Sequence, residues 1–125
     1  MELDYLGKEK IKIGKMKLPN PEEAVVSEQK LSGYCLNPNH ADGQHKARVF
    51  KSALNLDINC LEELKLALLD ATKNYQAIAD SQNQYGQKYV IDFPFSRSDK
   101  TATIRSVWIV KYNEKFPRLV TCYVL

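Results

Sequence analysis

The chain has 125 residues, 26% of them charged, and a net charge of +3. That length fits one globular domain and not two, and the weak basicity permits a nucleic-acid partner without requiring one. No apolar run is long enough to span a membrane, and the opening "MELDYLGKEK" lacks the basic-then-apolar layout of a signal peptide, so a cytoplasmic protein is expected, with specialised secretion left open.

The first segment, "YLGKEKIKIGKMKLPNP", alternates lysines at 8, 10, 12, 15 and 17 with Ile11, Ile13, Met16 and Leu18. This period of two predicts a short strand over 10–18. Its lysines read either as a solvated sheet edge or as a stripe that tracks phosphates. Pro19 and Pro21 interrupt the pattern. A helix over about 27–36 follows, with Ser27 as its N-cap and Leu31, Tyr34 and Cys35 on one face; Asn20-Pro21 is a competing start. Pro38 ends it. A second helix is predicted over 43–54, capped by Asp42, with Ala47, Phe50 and Leu54 turned inward. A third is predicted over 60–80. Asn59 and Glu62 are spaced as a capping box, and Leu61, Leu64, Leu68, Ala71, Tyr75 and Ile78 recur at three and four.

From Gly86 the period changes to two. "QKYVIDF", "TATIRSVWIVKY" and "RLVTCYVL" read as strands, with "PFSRSDK" and "NEKFP" as connectors. Short connectors make neighbouring strands antiparallel. The expected fold is therefore α+β: N-terminal helices packed on a three- to four-stranded antiparallel sheet, in a single domain over 1–125.

The chemistry-bearing stretch is "CLNPNHADGQHKARVF", residues 35–50, which holds both histidines of the chain, His40 and His45, followed by Lys46 and Arg48. A loop running into a helix N-terminus directs backbone N–H groups at an anion, and histidine moves protons near neutral pH. Packing or capping is the structural alternative for either ring. The Cys and His spacings do not match a zinc pattern, no glycine-rich phosphate loop or nucleophile elbow is present, and Asp92 and Asp99 flank a turn, so neither a metal nor a cofactor is expected. The three cysteines, Cys35, Cys60 and Cys122, are odd in number, widely spaced and set among apolar neighbours, and read as structural. On the strands, Arg105, Ser106, Arg118 and Thr121 are further candidates; Trp108 reads as core, with an indole N–H that needs one partner.

The series "KLSGYCLNPNHADGQHKARVF", "GQKYVIDFPF", "TATIRSVWIV" and "PRLVTCYVL" resembles a family of bacterial domains of unassigned function, found alone and at the C-terminal ends of polymorphic toxins and phage head-associated proteins. The resemblance covers residues 30–123 and leaves 1–29 as an N-terminal extension. Such domains are similar in layout to the barnase, EndoU, colicin and RelE group of ribonucleases. The family's His-x-x-Gly-x-His-Lys-Ala pattern falls on His40, Gly43, His45, Lys46 and Ala47, its Arg-Thr-x-Trp on Arg105, Ser106 and Trp108, and its Pro-Arg-Leu-Val-Thr-x-Tyr on Pro117 to Tyr123. Ser106 replaces the usual threonine and keeps the hydroxyl; Val124 stands where proline is usual.

The resemblance implies a metal-independent ribonuclease or toxin-type domain. His40 and His45 would share the acid and base roles, Lys46 and Arg105 would hold the phosphate, and Ser106 or Thr121 would donate a hydrogen bond. Arg48, Arg118 and Thr121 would contact substrate. RNA and an immunity protein are the expected partners, with no membrane. The alternative is a toxin- or phage-associated interaction module without catalysis.

Overall fold

The computed structural model of the chain describes residues 15–125, with side chains from residue 17 on. Most of the lysine-rich run at 10–18 therefore lies outside the described residues; its end forms a two-residue strand, β1 (Lys15–Met16).

A short α-helical turn, α1 (Glu28–Lys30), passes directly into a π-helical turn over Leu31–Cys35, whose wide hydrogen bond runs from the Leu36 N–H to the Leu31 carbonyl at 2.8 Å. Leu31 and Cys35 are buried and Tyr34 half-buried. The second helix, α2 (Gln44–Leu54), buries Ala47, Phe50 and Leu54, the stripe its period predicts. Asp42 does not cap it. Instead His40 Nδ1 accepts the N–H groups of Asp42 and Gly43, both at 2.9 Å. At the other end Asn55 takes a left-handed φ of 51° and closes the helix.

The third helix, α3 (Leu61–Asn74), is shorter than its sequence period suggests. Asn59 does not cap it; Asp57 accepts the Asn59 N–H at 2.9 Å and caps the preceding 3-10 turn (Ile58–Cys60). The helix ends because the Asn74 side chain folds back onto Asp70 and Tyr75 turns extended. The chain then enters a strand, β2 (Ala77–Gln82), where the spacing of Tyr75 and Ile78 extends the helix. Ala77 is buried while Ile78 faces out, the alternation of a strand.

Strands β3 (Gly86–Arg97), β4 (Lys100–Lys111) and β5 (Pro117–Val124) complete an antiparallel meander ordered β1-β2-β3-β4-β5. The chain is thus α+β, with helices preceding four long antiparallel strands. The β3–β4 hairpin is longer than expected. Pro94 stays inside β3 because Thr103, its partner, turns its carbonyl to Leu125 on the β5 side (2.9 Å), so no ladder bond to Pro94 is lost. Only Ser98 and Asp99 form the turn, with Ser98 at φ 56°. In β5, Val120 is a bulge: Thr121 pairs with Val107 and Leu119 with Trp108.

α2 and α3 pack on one face of the sheet, where Phe50, Leu64, Leu68, Ile91, Ile104 and Trp108 are fully enclosed. Each such side chain contributes about 1.5–3 kcal/mol by leaving water. Gly43 sets how α2 meets the π turn: a Cβ there would stand 2.1 Å from the Tyr34 carbonyl oxygen. At Gly33, a Cβ would meet only the flexible Gln29 Cγ at 3.6 Å. Gly43→Ala is therefore expected to destabilise the fold by about 1–3 kcal/mol or more, the range for a forced backbone shift. Gly33→Ala should be near neutral, since ordinary contact is all it adds. Denaturant unfolding of the two variants checks this; equal midpoints would remove the close approach at Gly43.

Candidate functional site

The first turn of α2 and the sheet meet at the border of β5. Lys46 projects there. Its Nζ donates to the Tyr34 hydroxyl at 3.0 Å and lies 5.0 Å from the Tyr34 ring centroid and 5.5 Å from that of Tyr123. Tyr123 stands opposite Arg105 on β4, and Arg105 opposite Asp92 on β3. The Arg105 guanidinium donates Nε–H and Nη2–H to the two Asp92 carboxylate oxygens, both at 2.8 Å. His40 completes the group, its ring set edge-on to Tyr34 at 4.9 Å.

Both cations are held charged. The Tyr34 hydroxyl raises the affinity of Lys46 for its proton, against partial burial, and the Asp92 carboxylate does the same for Arg105. The two basic groups arrive from different elements and meet on one tyrosine, Tyr123. That is an arrangement able to receive an anion with more than one oxygen.

The histidines separate. His40 Nδ1 is occupied by two backbone N–H groups, so its neutral ring carries the proton on Nε2 and presents a donor. His45 lies exposed on α2 with Nδ1 at 3.3 Å from Arg48 Nη2. Arg48 lines a groove of about 530 Å³ with Leu36, Ala47, Lys51 and Ile58. None of His40, Lys46 or Arg105 borders that groove. Arg118 is committed to Glu114 through two bonds at 2.8 Å and covers the Phe116 ring, five residues along β5 from Tyr123. Thr121 Oγ1 sits 3.8 Å from Cys35 Sγ.

Ser106 is fully buried. Its hydroxyl donates to the Ile91 carbonyl at 2.9 Å and accepts the Trp108 indole N–H at 2.9 Å. The placement corrects the catalytic reading: Ser106 satisfies the indole and joins β3 to β4. Asp92, read from sequence as a turn residue, lies mid-strand in the charged cluster. The register of the hairpin signals it. With Ser98 and Asp99 as the turn, Arg97 faces Lys100 and, counting outward, Asp92 faces Arg105. Tyr34 and Tyr123 carry no such signal, since aromatic residues in amphipathic elements read as core.

Below the cluster lie the fully buried Cys35 and Cys122 thiols. The hydrogen bond from Cys122 brings the Cys35 thiol down to about 6, against burial and with smaller help from Thr121 and Lys46. Cys122 moves the other way, its proton retained by the bond to Cys35 and by burial.

The family model described as Domain of unknown function (DUF6883) matches residues 17–125, and the chain belongs to that family. The match begins earlier than the motifs that carry the resemblance. No curated protein and no solved structure matches the chain. No helix among the described residues is long and apolar enough to cross a membrane.

Two outcomes are expected from this geometry. Ser106→Ala strands the Trp108 N–H in the core and should lower unfolding free energy by about 1–3 kcal/mol in denaturant titration; an unchanged midpoint would mean that the indole finds another partner. In a Cys60→Ser background, ultraviolet thiolate absorbance should rise as pH increases through about 6. Cys122→Ala should move that rise toward the ordinary thiol range, near ~8.5. Absence of any thiolate signal below that range would refute the lowered Cys35 value.

Proposed function

We propose that this domain acts on RNA as a metal-independent, toxin-type ribonuclease, and the convergence of Lys46 and Arg105 on Tyr123 is the observation that carries the reading. The two cations would neutralise a phosphodiester and the added charge of its pentacoordinate transition state. The ribose 2′-oxygen attacks phosphorus, the bond to the 5′-oxygen breaks, and a 2′,3′-cyclic phosphate and a 5′-hydroxyl result. Asp92, held by Arg105, would take the 2′-hydroxyl proton. The leaving oxygen would receive its proton from His45, beside Lys46 on α2 and open to solvent. His40 suits a different role, because with Nδ1 committed to the backbone it contributes an oriented Nε2–H donor. The order of helices before an antiparallel sheet is that of the barnase, EndoU, colicin and RelE ribonucleases, which supports the reading as an analogy of layout. The corresponding partners are RNA and an immunity protein able to cover the cationic cluster.

One observation favours the second reading, a non-catalytic toxin- or phage-associated interaction module. His40 is engaged in shaping the turn before α2, and Ser106 is locked in the core, so two of the expected catalytic groups have structural duties.

The intact protein should cleave RNA with chelator present, leave cyclic phosphate ends and spare DNA, which lacks the nucleophile. Lys46→Ala, Arg105→Ala, Asp92→Asn and His45→Ala should each slow cleavage by about 10²–10⁴-fold. Lys73→Ala on the exposed side of α3 serves as the control. No cleavage across a broad panel of RNAs would favour the interaction module.

A further inference from the structure

At one end of the sheet, two tyrosines stand in solvent on turns that the backbone holds tightly. Tyr85 is 62% and Tyr112 64% exposed. They face each other across the end of the β3–β4 ladder, where the Tyr112 N–H donates to the Tyr85 carbonyl at 3.0 Å. The turn before β3 is fixed by Asn83, whose side-chain oxygen accepts the Tyr85 and Gly86 N–H groups at 2.7 and 3.1 Å. A Cβ at Gly86 would stand 2.2 Å from the Val110 carbonyl oxygen, so the two strands close tightly just inside the pair.

The rings are not in contact with each other; the ring pairs among the described residues are Tyr34–His40 and Tyr75–Phe93. They border a concavity of about 370 Å³ together with Gln84, Lys111 and Asn113. Among the described residues the side chains of Gln84, Lys111 and Asn113 make no hydrogen bond within the chain. Lys88, Lys111, Lys115 and Arg118 stand at this end of the strands with Asp80 and Glu114, and the Pro21–Glu23 turn, tied to Lys115 through Asn20, adds Glu22 and Glu23; Glu114 is held by Arg118.

We propose that Tyr85 and Tyr112 form a stacking subsite for an unpaired nucleobase of single-stranded nucleic acid, with Lys111 and Lys115 on the adjoining phosphates. Every base offers a π-face, so a pair of exposed, pre-positioned rings grips a strand with little sequence preference. The concavity lies near the small end of the range for ligand sites, about 300–1,000 Å³, which suits one base rather than a folded partner. Lys111, in the lining of the concavity, matches phosphate, and the free amides of Gln84 and Asn113 can meet base edges. The subsite rests on the reading that the ligand is nucleic acid. It does not require that the ligand be cleaved.

The test is binding of fluorescent single-stranded oligouridylate, its deoxy counterpart and a duplex of equal length, followed by anisotropy. The wild-type protein should bind both single strands and bind the duplex more weakly. Loss of a stacking ring typically costs about 5- to 100-fold in affinity, so Tyr85→Ala/Tyr112→Ala should weaken both single strands by at least about 10-fold. Tyr85→Phe/Tyr112→Phe should retain binding, because stacking needs the ring and not the hydroxyl. Lys111→Ala should reduce the salt slope by about 1. Unchanged affinity in the double alanine variant overturns the subsite, as does equal affinity for the duplex. Failure of the wild-type protein to bind any of the probes overturns it too. Binding of both single strands without RNA cleavage sustains the subsite and removes only the ribonuclease reading.

Discussion

The contact between Gly43 and the Tyr34 carbonyl is the constraint on which the cationic cluster depends. With no room for a Cβ, α2 is held against the π turn, and the turn in front of it is shaped by His40 Nδ1. That single approach sets three further contacts: the His40 ring on the Tyr34 edge, the Lys46 ammonium on the Tyr34 hydroxyl, and Lys46 over Tyr123. The His-x-x-Gly-x-His-Lys-Ala pattern thereby acquires a division of labour. His40, Gly43 and Ala47 build the element; Lys46 uses it; His45 remains on the surface.

The sheet supplies the other half by register. Asp92, Arg105 and Tyr123 come from three strands and meet because two hairpin connections fix the pairing. A bidentate carboxylate on a partly exposed arginine contributes modestly to stability, about 0.2–1 kcal/mol. Its larger effect is orientation: one edge of the guanidinium, Nε–H with Nη2–H, is spoken for, and the remaining N–H groups are aimed rather than free to wander.

Much of the fold is legible because the hydrophobic period is legible. Ala47, Phe50 and Leu54 mark α2, and the change of period at Gly86 marks the strands. The end of α3 is not, because Tyr75 and Ile78 continue the helical spacing while the turn is made by Asn74 folding onto Asp70, a local hydrogen bond without periodicity. Pro94 similarly suggests a break that the ladder avoids by pointing its nitrogen away from β4. For the site, residue type identifies Lys46 and Arg105 as cations but says nothing of Tyr34 and Tyr123 between them. Ser106 misleads for a related reason: a hydroxyl beside a candidate arginine looks available until the indole of Trp108, two residues along the same face, is seen to use it.

The bulge at Val120 gives β5 a change of parity. Before it, Leu119 faces the core; after it, Cys122 does, and Tyr123 is released to meet Arg105. The bulge therefore absorbs the extra residue between Leu119 and Cys122 and keeps both side chains on the core side of the edge strand. Deleting either Val120 or Thr121 would remove the bulge: Leu119 opposite Trp108 and Cys122 opposite Ser106 would then follow in regular alternation, both still inward, with one residue opposite Val107. The extra residue therefore costs the strand one regular pair and a local kink, and leaves the two sides of the strand as they are.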